Sequence, residues 1–90
     1  MKTLVIKIGT STLVRDGQLN DDFIADLARQ IAVLREEGWQ SVIVTSGAVR
    51  VGLNVIGRPK AANLAEKQAA AAIGQSLLMR AYRQALAGVV

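Results

Sequence analysis

The chain has 90 residues, which is enough for one small domain at most. Hydrophobic residues make up 51% and charged residues 20%, a balance typical of a globular protein and not of a disordered one. The absence of cysteine and histidine excludes a disulfide framework and argues against a zinc site. The first apolar run is too short for a signal peptide or a membrane span, so we expect a soluble, cytoplasmic protein without a membrane partner.

The net charge is +4, which is compatible with nucleic acid or an anionic small molecule as partner. The basic residues are scattered among acidic ones, and aromatic residues make up only 3% of the chain, which is poor for stacking on bases. A solvated basic surface therefore explains the charge better, and we do not expect nucleic acid to be the main partner.

The first predicted element is a strand over residues 4–8, an apolar run interrupted only by Lys7. Such a run is typical of a parallel strand that is covered on both faces. Residues 9–18 contain Gly, Thr, Ser and Asp-Gly, which predicts a loop with a tight turn at residues 16–17.

A helix is predicted next, with Asn20 as N-cap and Gly38 as C-cap. Its apolar residues recur at helical spacing and form one stripe: Phe23, Ile24, Leu27, Ile31 and Leu34. Residues 41–45 are predicted to form a second buried strand.

The second strand is followed without a linker by a short helix, predicted over residues 47–55. A longer helix, rich in alanine, is predicted from about Asn63 to Leu86, and residues 69–74 give it a nearly bare surface for close packing. Two strands joined by a helix of this length predict a right-handed crossover, a parallel sheet and the α/β class.

Two parallel strands leave two open edges, whereas parallel sheets normally carry helices on both faces. Residues 87–90 are typical of a turn followed by the start of a third strand. We therefore expect residues 1–90 to be the first part of a larger α/β domain, or a chain whose missing half comes from another chain.

One candidate site follows the first strand, because ligands of open parallel sheets bind outside the carboxyl ends of the strands. An unpaired ammonium inside an apolar run is costly to bury, so we expect Lys7 to reach a carboxylate or an anionic ligand. Gly9 has no side chain and tolerates a positive φ, and the amides of Gly9, Thr10 and Ser11 can form an anion-binding nest. The alternative is a lysine whose stem lies along the strand before an ordinary turn, and the residues alone leave both readings open.

This segment is not a Walker A loop. The lysine precedes the glycine, and no helix is expected directly behind it.

A second candidate site follows the second strand at Ser46, Gly47 and Ala48. These residues open a predicted helix, whose free N–H groups and positive dipole end suit a carboxylate or a phosphate. The Ser46 hydroxyl can hold such a ligand or simply cap the helix, and capping alone is the ordinary use of a serine in this position.

Three motifs carry a resemblance to a known family: residues 6–11, residues 42–48, and Lys67-Gln68 leading to residues 72–76. In order and spacing they resemble the amino-terminal part of the glutamate 5-kinases, which belong to the amino acid kinase family. The resemblance covers essentially the whole chain. The Gly-Thr-Ser triplet after Lys7 is informative, because acetylglutamate kinases, aspartokinases and uridylate kinases usually have Gly-Gly there.

The resemblance implies a three-layer αβα fold, a homo-oligomer, and the use of ATP with Mg²⁺. It implies phosphorylation of the side-chain carboxylate of L-glutamate to γ-glutamyl phosphate, the first step toward proline. By position, it implies a catalytic Lys7 at the nucleotide phosphates, a phosphate site completed by Gly9, Thr10 and Ser11, and a glutamate pocket that includes Ser46, Gly47 and Ala48.

In that family, the rest of the glutamate and nucleotide sites, and the PUA domain of many members, lie in sequence beyond the part that these residues match. We therefore expect the 90-residue chain alone to be inactive. The alternative is a small basic binding or assembly module that reuses the same scaffold without turnover.

Overall fold

A computed structural model describes residues 1–89 of the chain. In chain order its elements are β1 (Lys2–Ile8), α1 (Thr10–Leu13), β2 (Val14–Arg15), β3 (Gln18–Leu19), α2 (Asp21–Glu36), β4 (Trp39–Thr45), α3 (Ala48–Ile56) and α4 (Leu64–Ala85).

The main sheet consists of β1 and β4, which pair in parallel from Lys2 opposite Trp39 to Ile8 opposite Thr45. Side chains alternate between the faces of a strand, so Ile6, Ile8 and Ile43 share one face of this sheet. Both α2 and α4 pack on that face, around a buried core of Ile8, Leu13, Ile24, Leu78 and Tyr82. The prediction of an α/β chain with a parallel sheet is confirmed.

The opposite face of the sheet is uncovered within residues 1–89. Val5, Val42 and Val44 lie on it and are 63%, 44% and 48% exposed. The prediction that both strands are covered on both faces is therefore wrong for the described part of the chain, because α2 and α4 lie on the same side. The described residues form two layers, and the three-layer αβα arrangement stays an expectation.

The predicted N-cap of α2 is confirmed, whereas its C-cap is Glu37 and not Gly38, which is the next residue. The side chain of Asn20 accepts a hydrogen bond from the backbone N–H of Phe23 at 3.2 Å, as an N-cap residue does. The helix ends at Glu36, and Gly38 follows in the left-handed region with φ of 91°.

Helices α3 and α4 lie against each other through small residues. Asn63 caps α4 by accepting a hydrogen bond from the N–H of Glu66 at 2.8 Å. A Cβ atom added to Gly52 would overlap the backbone of Ala70, and one added to Gly74 would overlap the carbonyl oxygen of Ala48. The bare surface predicted on α4 is thus the surface on which α3 packs.

The segment after β1 differs from the continuous loop that we predicted. A one-turn helix, α1, begins directly behind Gly9, and β2 pairs with β3 in a small antiparallel hairpin. The tight turn at Asp16 and Gly17 is confirmed, with φ of 53° and 77°. Elements of two to four residues are too short to show a hydrophobic period, and α1 is held by Leu13, which is completely buried.

At the other end, residues 86–89 form a turn. The turn predicted within residues 87–90 is confirmed, and no strand has begun by Val89; Val90, the other residue of that prediction, lies outside the described residues.

Candidate functional site

The two predicted sites meet at the carboxyl edge of the sheet. The hydroxyl oxygens of Thr10 and Ser46 lie 3.0 Å apart, although the residues are 36 positions apart in the chain. This contact arises because β1 and β4 run in parallel and end side by side, at Ile8 and Thr45. The segments that follow the two strands therefore form one continuous polar surface.

Ser46 is tied to β1 by its backbone and by its side chain. Its N–H and its hydroxyl both donate to the carbonyl oxygen of Ile8, at 3.2 Å and 3.3 Å. A serine hydroxyl has one proton, so Ser46 accepts from Thr10 in the contact between their hydroxyls. The N-cap of α3 is Gly47, without a side-chain hydrogen bond, so the reading of Ser46 as a simple helix cap is wrong.

Gly47 has to be glycine for two reasons. Its φ is 104°, a left-handed conformation that other residues rarely adopt, and a Cβ atom there would lie 3.0 Å from Cγ2 of Val14. The sharp bend lets α3 begin at Ala48, and the free N–H groups of its first turn lie next to Ser46. The carbonyl of Ala48 lies against Gly74 of α4, which leaves the N–H of Ala48 as its polar group for a ligand.

Gly9 has an ordinary extended conformation, with φ of −83° and ψ of 163°, so the positive φ that we considered is not used. A Cβ atom at this position would have no atom within 4 Å. Among residues 1–89, the N–H groups of Gly9, Thr10 and Ser11 donate to no backbone carbonyl or side chain. The loop therefore offers open space and free donors, and Ser11 itself is exposed.

Lys7 lies opposite Val44 on the uncovered face of the sheet and is exposed. The premise that its ammonium is buried inside an apolar run is therefore wrong. In the described part of the chain it forms no salt bridge with a carboxylate, so its charge is not neutralised by a neighbour. Lys7 lies near the end of β1, one residue before Ile8, whose carbonyl accepts the hydrogen bonds from Ser46.

Behind this edge lies a contact that could not be predicted from the sequence. The hydroxyl of Tyr82, in α4, lies 3.0 Å from the hydroxyl oxygen of Thr45, the last residue of β4. Burial raises the pKa of Tyr82, and the hydrogen bond with Thr45 offsets part of that rise. A tyrosine on the buried face of a helix needs a polar partner for its hydroxyl, and this need is predictable from the sequence. The identity of the partner is not.

The charged residues beyond the edge have structural roles. Arg58 donates two hydrogen bonds of 3.0 Å to the carboxylate of Glu66, and Arg50 donates to the carbonyl of Pro59 at 2.8 Å. The hydrogen bond from Arg58, and then one from the N–H of Ala62, lower the pKa of Glu66. Glu66 is therefore paired with Arg58 and with the backbone of Ala62, and its role is to hold the segment before α4.

Residues 1–89 contain neither a cluster of metal-binding side chains nor a membrane-spanning helix. No group of three or more His, Cys, Asp or Glu side chains there could hold a metal ion. No helix in the same range is long and apolar enough to cross a membrane.

The parallel sheet with helices packed on it defines an α/β protein, and in open parallel sheets ligands bind outside the carboxyl ends of the strands, where the hydroxyls of Thr10 and Ser46 meet. Residues 2–89 match the family model described as "Amino acid kinase family". Because the match extends over nearly the whole chain, the chain belongs to the amino acid kinase family.

Several curated proteins named "Glutamate 5-kinase" are similar to the chain. The protein of Geobacter metallireducens is 52% identical over 88 residues, which are 93% of this chain and 23% of that protein. The protein of Thermus thermophilus is 45% identical over 96% of this chain and 24% of its own length. The protein of Trichormus variabilis is 51% identical over 90% of this chain and 23% of its own length. The chain thus spans about a quarter of the length of these relatives.

Proposed function

We propose that this chain supplies part of the active site of a kinase that transfers the γ-phosphoryl group of ATP to the side-chain carboxylate of L-glutamate, giving γ-glutamyl phosphate. The observation that carries the proposal is the contact of 3.0 Å between Thr10 and Ser46, because it joins a segment suited to phosphate with a segment suited to a carboxylate. The relatives support the choice of substrate, since they are named for a kinase acting at position 5 of glutamate.

The segment after β1 would bind the phosphates of ATP. Transfer between two anions needs positioning and neutralisation of charge, and it requires no covalent intermediate on the protein. Lys7 would bring an unpaired positive charge to the transferred phosphoryl group and act as the catalytic lysine. The free N–H groups of Gly9, Thr10 and Ser11 would donate to phosphate oxygens.

The segment after β4 would bind glutamate. The Ser46 hydroxyl and the N–H groups of Gly47 and Ala48, at the start of α3, are donors suited to a carboxylate. Charge-assisted hydrogen bonds contribute about 1.5–3 kcal/mol each, so two or three of them support only modest affinity. We therefore expect residues outside this chain to complete the pocket, and the 90-residue chain alone to be inactive.

The proposal includes Mg²⁺ with ATP, since kinases of this kind use the metal to neutralise the phosphates. The polar groups at the two strand ends are hydroxyls and amides, whereas Mg²⁺ is usually held by carboxylates and phosphates. The donors of this edge therefore do not form a metal site, and we assign none of its residues to Mg²⁺. A homo-oligomer in the cytoplasm completes the proposal.

The experiment is a chimera in which residues 2–89 replace the matching quarter of the Geobacter metallireducens relative. We expect it to release ADP only when both ATP and glutamate are present. Replacing Lys7 with Ala should lower kcat by about 100-fold or more, the range measured for the loss of one group that stabilises the transition state. Lys60→Ala is the matched control, because Lys60 is also exposed but lies between α3 and α4.

Unchanged turnover in the Lys7→Ala chimera would contradict the role of Lys7. A chimera that folds but releases no ADP would favour the alternative of a binding or assembly module. ADP release by the 90-residue chain alone would contradict the expectation that it is inactive.

A further inference from the structure

Tyr82 connects the longest helix of the chain to the edge that carries the site. It lies in the 22-residue helix α4, is 7% exposed, and its hydroxyl is 3.0 Å from that of Thr45. The two residues are 37 positions apart, so the contact depends on the tertiary fold. No other residue of the described chain hydrogen-bonds to the Tyr82 hydroxyl.

Thr45 is the last residue of β4 and its position affects the residues that follow. Ser46 is held from the β1 side, by Ile8 and Thr10. The contact with Tyr82 holds the same strand end from the α4 side. The direction in which the N–H groups of Gly47 and Ala48 point is therefore fixed by two sets of hydrogen bonds.

Both α2 and α4 pack on one face of the sheet, and on that face Tyr82 of α4 contacts the last residue of β4 by a hydrogen bond. Immediately behind Thr45 the chain enters the left-handed bend at Gly47, whose φ is 104°. A small rotation at Thr45 would displace the Ser46 hydroxyl and the first N–H groups of α3 together.

We propose that Tyr82 is a positioning residue for the carboxylate-binding half of the site: its hydroxyl fixes Thr45 and thereby the orientation of Ser46 and of the first turn of α3. The inference rests on the proposed function, in which this half binds glutamate. Tyr82 itself does not touch the substrate, so its effect should fall on glutamate and not on ATP.

The test uses the active chimera with Tyr82→Phe, which keeps the ring and removes only the hydroxyl. We expect the KM for glutamate to rise about fivefold, as for the loss of one hydrogen bond, while kcat and the KM for ATP change by less than about twofold. Thr45→Val should raise the KM for glutamate at least as much, because it also removes the 3.5 Å hydrogen bond from the Thr45 hydroxyl to the carbonyl of Ser46, and Thr45→Ser should preserve the KM because it keeps the hydroxyl. Because Thr45→Val already removes the contact with Tyr82, Tyr82→Phe and Thr45→Val combined should cost no more than Thr45→Val alone.

A second measurement does not depend on turnover. Amide hydrogen exchange at Ser46, whose N–H donates to the carbonyl of Ile8, should be faster in the Tyr82→Phe chimera than in the parent, whereas exchange at Ala28 and Ile31, which are buried in α2, should be unchanged. An unchanged glutamate KM, an equal rise in the KM for ATP, or unchanged exchange at Ser46 would overturn the inference. If the parent chimera released no ADP, the proposed function would fail, while the exchange measurement would still decide whether Tyr82 orders this segment.

Discussion

Gly74 of α4 lies so close to Ala48 that a Cβ atom at position 74 would overlap the carbonyl oxygen of Ala48. The start of α3 is therefore held against the backbone of α4 itself. A second contact of the same kind, between Gly52 and Ala70, lies about one turn further along α3. Because the partner atoms belong to backbone, no side-chain rotation can make room for a larger residue.

Replacing Gly74 with Ala should destabilise the chain by about 1–3 kcal/mol, the range for overpacking in a well-packed interior. The loss should exceed the gain of about 1 kcal/mol that alanine brings to a helix interior. Urea unfolding followed by circular dichroism measures the difference. Gly9→Ala is the control, since nothing lies within 4 Å of the added atom and φ is ordinary, so its stability should stay within about 0.5 kcal/mol of the parent.

A comparison of two left-handed glycines separates backbone strain from steric overlap. Gly47→Ala should lose about 1–2 kcal/mol of stability through backbone strain, and a further amount through the contact of 3.0 Å with Val14. Gly57→Ala, with φ of 75° and no atom within 4 Å, should lose stability through backbone strain alone. Equal losses in the two variants, measured by urea unfolding, would show that the loop around Val14 adapts freely.

Tyr82 should make the stability of the chain sensitive to alkaline pH. Burial raises its pKa in the folded state, so the neutral phenol is favoured by folding. The resulting stability is fully present below the unfolded value near 10 and is lost as the pH rises through the folded pKa. The midpoint of thermal unfolding of the parent should therefore exceed that of Tyr82→Phe by less above about pH 10 than at neutral pH.

The same titration can be followed directly, because the chain has one tyrosine. The absorbance of its phenolate should appear at higher pH in the folded chain than in urea. Coincident titrations in the two conditions would contradict the effect of burial.

The pair of Arg58 and Glu66 should contribute to stability above acid pH. The pKa of Glu66 is lowered below its ordinary value of 4.5, so its contribution is present above that value and is lost as the pH falls through the folded pKa. We expect Glu66→Gln to lower the midpoint of thermal unfolding slightly at pH 6 and to have a smaller effect at pH values below about 4. The effect is small because ion pairs near solvent are weak.

Asp26→Asn serves as the control for this pair. It removes the charge of Asp26, whose carboxylate accepts from Arg29 and from Gln30 at 2.9 Å each, so the partners lie within one helix and fix no loop. An equal loss in both variants at pH 6 would mean that the bond from Arg58 to the start of α4 has no special effect.

The long elements were predictable from the sequence because their signals are local. Asn20 and Asn63 are N-caps, and Gly38 and Gly57 end helices, so α2, α3 and α4 were placed within about two residues of their ends. The juxtaposition of the two strand ends followed from the rule that parallel neighbours end on the same edge.

What the sequence could not supply depends on pairing between distant residues. The strands β2 and β3 have two residues each and gain their stability from packing, not from propensity. The partner of Tyr82 and the exposure of Lys7 both depend on which face of the sheet α4 covers. An apolar run predicts that both faces of a strand are covered. It does not tell whether the covering helices belong to the same 90 residues.

The carbonyl of Ile8 accepts from both the N–H and the hydroxyl of Ser46, at 3.2 Å and 3.3 Å. One of these two bonds is redundant, since a carbonyl oxygen with a single partner is already satisfied. In the proposed function the hydroxyl would rotate toward the carboxylate of glutamate, and the carbonyl of Ile8 would keep its main-chain partner. Ser46 can therefore change hydrogen-bond partners by rotation about a single side-chain bond, with the backbone of both strands at rest.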